Sequence, residues 1–217
     1  RSTRGGKRDK HMESGIGEIR SLLKTASTAE GVDALRGIEG SAAQTYFDLL
    51  PSILNGDIQE DLIPSGRSRR PPKDRFNAIL SFGYSMLYRT VFEAILAVGL
   101  EPALGYLHTP RSSAHPLVMD VIELFRVPVW DIVTVSSINR KQWNVESDFA
   151  VTKEKVWLSV EGRKKAIVLF ERRMQDKWKH PVLDYSLSWQ RTMELEVRLL
   201  EKEWTDTPGL FARSRIR

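Results

Sequence analysis

Two carboxylates, Asp120 and Glu123, stand three residues apart in the run Val118-Met119-Asp120-Val121-Ile122-Glu123-Leu124-Phe125. On a helix that spacing puts both acids on one face, one turn apart. Val121, Ile122, Leu124 and Phe125 around them are apolar, so the segment is expected to be buried. A buried carboxylate is costly unless it is paired or bound to metal. His108 comes twelve residues before Asp120 and closes the run Leu104-Gly105-Tyr106-Leu107. Glu39 has glycine on either side in Arg36-Gly37-Ile38-Glu39-Gly40, and glycine lets another backbone or a ligand come close. One imidazole and two or three carboxylates suit Mg²⁺ or Mn²⁺, with positions left open for phosphate and water. A solvated helix face and an ordinary histidine would show the same pattern, so spacing alone leaves both readings open.

Other chemistries are closed off. The chain has no cysteine, which removes disulfides, Cys-ligated zinc, iron–sulfur clusters and cysteine nucleophiles together. No GxxxxGK[ST] phosphate loop occurs, nor HExxH, nor GxSxG. Gly15 and Gly17 begin a GxG, but Arg20 stands where the dinucleotide fingerprint needs glycine. The 217 residues, 41% apolar, are enough for a real core in one large domain or two small ones. No apolar run approaches the roughly 18–20 residues that cross a bilayer. Residues 1–10 are polar and basic, unlike a secretory signal. The expectation is a soluble intracellular protein with no membrane association and a mild preference for polyanions.

Thirty-three basic against 28 acidic residues give a net charge of +5, and its distribution says more than its size. Residues 1–10 and 67–75 each hold five basic groups and one acid. A third group is Arg163, Lys164, Lys165, Arg172 and Arg173, and the chain ends on Arg213, Arg215 and Arg217. In the second cluster Pro71 and Pro72 hold the chain extended just before a helix, displaying the arginines on a stiffened loop. A solvated surface is the plain alternative for each cluster.

The elements that must position these groups are mostly helical. Ile16, Ile19, Leu22 and Leu23 recur at helical spacing over 13–24. Ser27 and Glu30 read as a capping box for the next helix or pair of helices, with apolar residues to Ile53. A loop spans 55–72, and a long helix runs from about Asp74 to Val98, stopped by Gly99. Ser112 or Ser113 caps a helix with Pro116 in its first turn, ending before Pro128. The β-branched run 129–138 reads as a strand, and 149–159 as a hairpin turning at Lys153-Glu154. Helices over 162–177 and 186–203 follow, then a loose tail. The sum is a mainly α fold, a single helical domain of eight or nine helices with one small β-hairpin. Its expected divisions are a basic linker or tag remnant over 1–12, the helical domain over 13–204 and a basic tail over 205–217.

Five stretches in order carry a resemblance. They are Leu35-Arg36-Gly37-Ile38-Glu39-Gly40, Arg69-Arg70-Pro71-Pro72-Lys73-Asp74 running into Asn77–Tyr84, Gly105-Tyr106-Leu107-His108, Asp120–Arg126, and Glu161-Gly162-Arg163-Lys164-Lys165. The chain resembles the helical catalytic domain of the CRISPR-associated integrase, the endonuclease of spacer acquisition. The resemblance implies that Glu39, His108 and Glu123 are ligands of Mg²⁺ or Mn²⁺, with Asp120 a further acid supporting the site or a second ion. Tyr88 and Arg111 match, more loosely, a tyrosine and a basic residue near the reacting phosphate. Arg67, Arg69, Arg70, Lys73, Arg75, Arg163 and Lys164 would contact DNA backbone. The implied reaction is attack of a DNA 3′-hydroxyl on a phosphodiester at the edge of a CRISPR repeat. Implied partners are double-stranded DNA with 3′ ends, repeat DNA, a second copy in a homodimer, a small adaptation protein, and an adaptation nuclease fused or bound in some systems. The strand-rich N-terminal domain usual in that family has no counterpart here, so the chain reads as part of a longer polypeptide. A non-catalytic basic helical DNA-binding module is the alternative; it needs the basic clusters but not the acid–histidine set. An HD-type phosphohydrolase is disfavoured because no His-Asp dipeptide occurs.

Overall fold

A computed structural model of the chain describes residues 10–109, 114–180, 183–205 and 208–212. Arg111, Ser112, Ser113, most of the N-terminal basic cluster and the terminal arginines lie outside them. The fold is mainly α, as the apolar periodicity indicates. Seven α-helices are joined by short 3₁₀ and π segments and two small antiparallel hairpins among the described residues. These elements form two compact units, one from residues 1–78 with 135–159, the other from 79–134 with 160–217.

In the first unit α1 (Lys10–Ala26) packs on α2 (Val32–Leu49). The approach is close at Gly15, where a Cβ would stand 2.8 Å from the Leu49 side chain. The cap of α2 departs from the expected Ser27/Glu30 box: Gly31 at φ 86° precedes the first turn, and the Ser27 hydroxyl donates to the Lys24 carbonyl. Asp74 starts α3 (Arg75–Val98) by accepting the Asn77 N–H at 2.7 Å, an N-cap contact. The side-chain amide of Asn77, fully buried, ties back to Gly66 and Asp74, closing the proline loop on the helix start. Strands β1 (Phe149–Val151) and β2 (Val156–Leu158) form the expected hairpin, turning through Thr152–Lys155.

In the second unit Gly99, at φ 93°, ends α3 as expected. Helix α4 (Pro116–Ile122) carries Asp120, and Glu123 is its C-cap residue. The strand expected at 129–138 is instead a π segment (Arg126–Asp131) running into α5 (Ile132–Asn139). Local β-propensity lost to tertiary contacts. The Trp130 indole is fully buried, and its N–H donates to the Ile79 carbonyl at 3.0 Å. Pro128 would break an α-helix, and the wider π turn accommodates it. Its carbonyl accepts Arg173 Nε and Nη2 at 3.0 and 2.6 Å. Helix α6 (Val160–Gln175) is followed by β3 (Lys177–Lys179), which pairs with β4 (Ser186–Ser188) in a second hairpin. Helix α7 (Trp189–Trp204) therefore starts three residues after Ser186, capped by the Ser188 hydroxyl.

Candidate metal centre

The Asp120 side chain is fully buried yet accepts four hydrogen bonds. Its Oδ2 takes the backbone N–H groups of Tyr106 (2.6 Å) and Leu107 (3.1 Å). Its Oδ1 takes the N–H of His108 (2.9 Å) and lies 2.6 Å from His108 Nδ1. Three consecutive amides and an imidazole thus compensate the burial of one carboxylate. An ionised carboxylate can only accept, so Nδ1 of a neutral ring carries the proton and Nε2 keeps its lone pair. That is the tautomer of a metal-ligating histidine oriented by a carboxylate behind it. The loop comes this close because position 105 is glycine: a Cβ there would lie 2.5 Å from Pro116 Cβ and 2.7 Å from Asp120 Oδ2.

Glu123 forms an ion pair with Arg126, Oε1 to Nη1 at 2.6 Å, and the Arg126 guanidinium sits over the Tyr84 ring at 5.0 Å. Burial first, and then the charges of Asp120 and Glu123, push the Tyr106 phenol up to about 12. That hydroxyl therefore stays protonated at neutral pH. Glu39 is carried by α2. Glu39 belongs to the first unit, and His108 and Glu123 belong to the second. Two carboxylates and an imidazole with its Nε2 lone pair available are a donor set suited to a hard divalent ion. Asp120 stands behind His108.

The remaining candidates divide by what they touch. The Tyr88 hydroxyl accepts the His115 N–H at 3.0 Å and lies 2.7 Å from His115 Nδ1, while the Phe92 ring lies 4.8 Å from the imidazole. Arg111 lies outside the described residues. Arg67 is half-buried and donates to the Ser68 carbonyl and Asn77 Oδ1 at 2.6 and 2.7 Å. Arg75 pairs with Asp61 at 2.6 Å. Arg69, Arg70, Lys73, Arg163 and Lys164 are exposed. Arg126 and His115 are absent from the candidates drawn from sequence. Arg126 was legible as a cation three residues after Glu123; His115, 27 residues from Tyr88, carried no local signal.

A helical fold whose histidine loop is braced on a buried carboxylate, with further acids of the kind that bind hard metal ions, defines a candidate metal-site protein. The family model described as CRISPR associated protein Cas1 matches residues 1–172, and the chain belongs to that family. It is 55% identical over 218 residues to a protein of Leptospira interrogans named CRISPR-associated exonuclease Cas4/endonuclease Cas1 fusion, covering all of this chain and 40% of that protein. The fusion of the same name in Myxococcus xanthus is 50% identical and is covered to 38%. The chain thus spans about two fifths of these relatives' length. A Cas1 protein structure from Thermotoga maritima superposes with a TM-score of 0.78 at 31% identity, over 86% of this chain and 56% of that one. A casposase bound to its integration product shares the fold, with a TM-score of 0.74 at 22% identity, over 93% of this chain and 64% of that one. No described helix is long and apolar enough to cross a membrane.

Proposed function

We propose that this chain is the catalytic part of a divalent-metal-dependent DNA integrase and endonuclease that inserts short DNA fragments into a CRISPR array. The observation that carries the reading is the His108 imidazole held on the buried Asp120 carboxylate with Glu123 three residues further on, an arrangement that simple phosphate binding does not need. The names of the relatives as endonucleases support it.

The reaction is a transesterification. The oxygen of a fragment's 3′-hydroxyl forms a new bond to phosphorus at the repeat edge, and the bond to the resident 3′-oxygen breaks. One alcohol loses a proton and the other gains one, so one phosphodiester replaces another and no ATP is consumed. This agrees with the missing phosphate loop. Bound Mg²⁺ or Mn²⁺ supplies charge stabilisation to the phosphoryl oxygens and to the attacking and leaving oxygens. Asp120 holds the proton of His108 at Nδ1 and keeps Nε2 as a donor atom. Glu39 and Glu123 supply oxygen donors, and Arg126 restrains Glu123. Tyr88 and Arg111 are assigned to the neighbourhood of the reacting phosphate. Arg69, Arg70, Lys73, Arg163 and Lys164 are assigned to DNA backbone. Attack by water in place of the hydroxyl gives nicking of branched DNA. The working assembly is a homodimer with a small adaptation protein in the prokaryotic cytoplasm, and the Cas4/Cas1 relatives support a nuclease in the same polypeptide.

A fragment-into-plasmid joining assay with Mn²⁺, on the full polypeptide with its partner, tests this. Glu39→Ala, His108→Ala and Glu123→Ala are each expected to abolish joining while largely sparing DNA binding. Wild-type joining by the His108 variant would sink the assignment and leave the non-catalytic DNA-binding module as the reading.

A further inference from the structure

The end of the described chain, Pro208–Ala212, was expected to be loose. It is instead tied back onto α7 at two carboxylates. Glu203 accepts the N–H of Gly209 (2.8 Å to Oε1, 2.7 Å to Oε2), Leu210 (3.2 Å) and Phe211 (3.4 Å). These bonds, chiefly that from Gly209, hold its carboxyl below the usual range. Glu196, only 1% exposed, accepts the Ala212 N–H at 3.0 Å. A carboxylate so deeply buried needs such donors, so this contact belongs to the packing of α7. Gly209 takes φ 87° without steric cost, whereas Ala212 is held at φ 55°, which a residue with a Cβ adopts only when its surroundings impose it.

The latch has a consequence at the metal centre. It sets the Phe211 ring edge-on to Tyr106, with centroids 6.4 Å apart and planes at 80°. This is a favoured aromatic geometry. Tyr106 is the first of the three amides that grip Asp120, and His108 is two residues further on. The loop Leu104–Thr109 forms no helix or strand, and Tyr106 keeps 48% of its surface exposed. Contacts on the Tyr106 ring therefore bear directly on where the loop rests.

We propose that Phe211 is a positioning residue for the metal centre, and that strap 208–212 braces the Tyr106–His108 loop against Asp120. The brace is read from geometry alone; its effect on metal rests on the metal reading above. The full polypeptide without DNA is titrated with Mn²⁺, and amide exchange is followed at residues 106–108. Phe211→Ala is expected to weaken Mn²⁺ binding about 10-fold, the effect of losing an outer support of a metal ligand, and to speed exchange at all three amides. Phe211→Tyr is expected to restore both. In a Tyr106→Leu background, Phe211→Ala is expected to add nothing further, since its action passes through that ring. Wild-type Mn²⁺ affinity and exchange in a Phe211→Ala protein of unchanged circular dichroism would overturn the proposal. Should Phe211→Ala fail to fold, Phe211→Leu replaces it under the same criteria. If the wild-type protein binds no Mn²⁺, the metal reading fails and the exchange at 106–108 decides the brace by itself.

Discussion

Asp120 shows how much one side chain can organise. It faces three backbone amides and an imidazole, and the hydrogen at position 105 in place of a methyl group lets the loop reach it. Gly105→Ala is therefore expected to lift the loop from the carboxylate. Mn²⁺ binding should fall about 10–100-fold, as for loss of an orienting partner, measured by direct titration of folded protein. Tyr106 offers a second reading of the same charges. Its phenol titrates near 10.0 unperturbed and at about 12 here. The folded state holds this proton more tightly, so its contribution to stability is present below pH 10 and is lost as pH rises toward 12. Removing a nearby negative charge with Glu123→Gln should lower that pKa, which an ultraviolet phenolate titration checks. The acids and the histidine were legible because their spacing is local. That Asp120 would hold the histidine and its loop by four hydrogen bonds was not, since that depends on donors twelve to fourteen residues away.

At the scale of elements, helix α3 and the π segment carry the clearest lesson. The run 129–138 is rich in β-branched residues, yet it is helical because Trp130 is fully buried and hydrogen-bonded to α3. The partner feature on α3 is Gly83, where a Cβ would fall 1.8 Å from the indole. Gly83→Ala should force Trp130 out of place and destabilise the protein by about 1–3 kcal/mol or more, the range for overpacked cores. Thermal melting of the variant against wild type is the check. The hairpin at 149–158 was legible, since two short β-runs flank a turn. The second hairpin, at 177–179 and 186–188, was missed because its strands are three residues each and merge into the patterns of α6 and α7.

Across the whole molecule, the total charge of +5 conceals a division of labour among the basic residues. Arg67 and Arg173 are spent on backbone carbonyls and neighbouring side chains, and Arg75 on Asp61. Arg69, Arg70 and Lys73 in the same loop face solvent. Replacing Arg69 and Arg70 with alanine should weaken DNA binding across sequences. It should also flatten log K against log salt by about 0.9 for each phosphate no longer neutralised. Arg67→Ala should instead lower the melting temperature, because it unties the loop from Asn77. Salt titrations and melting curves on the two variants separate these outcomes.

The sequence by itself determined the helical class, the excluded chemistries, the family and the oxygen and imidazole groups available to an ion. All of these follow from composition, short-range periodicity and ordered motifs. Only the tertiary structure decided that a β-rich run becomes helix, that Asp120 serves His108, that certain arginines are internal, and that residues 208–212 return to Tyr106. Each of these depends on contacts between residues far apart in sequence. Such contacts form only where packing brings the partners within hydrogen-bond or van der Waals reach, and no local spacing rule contains that information.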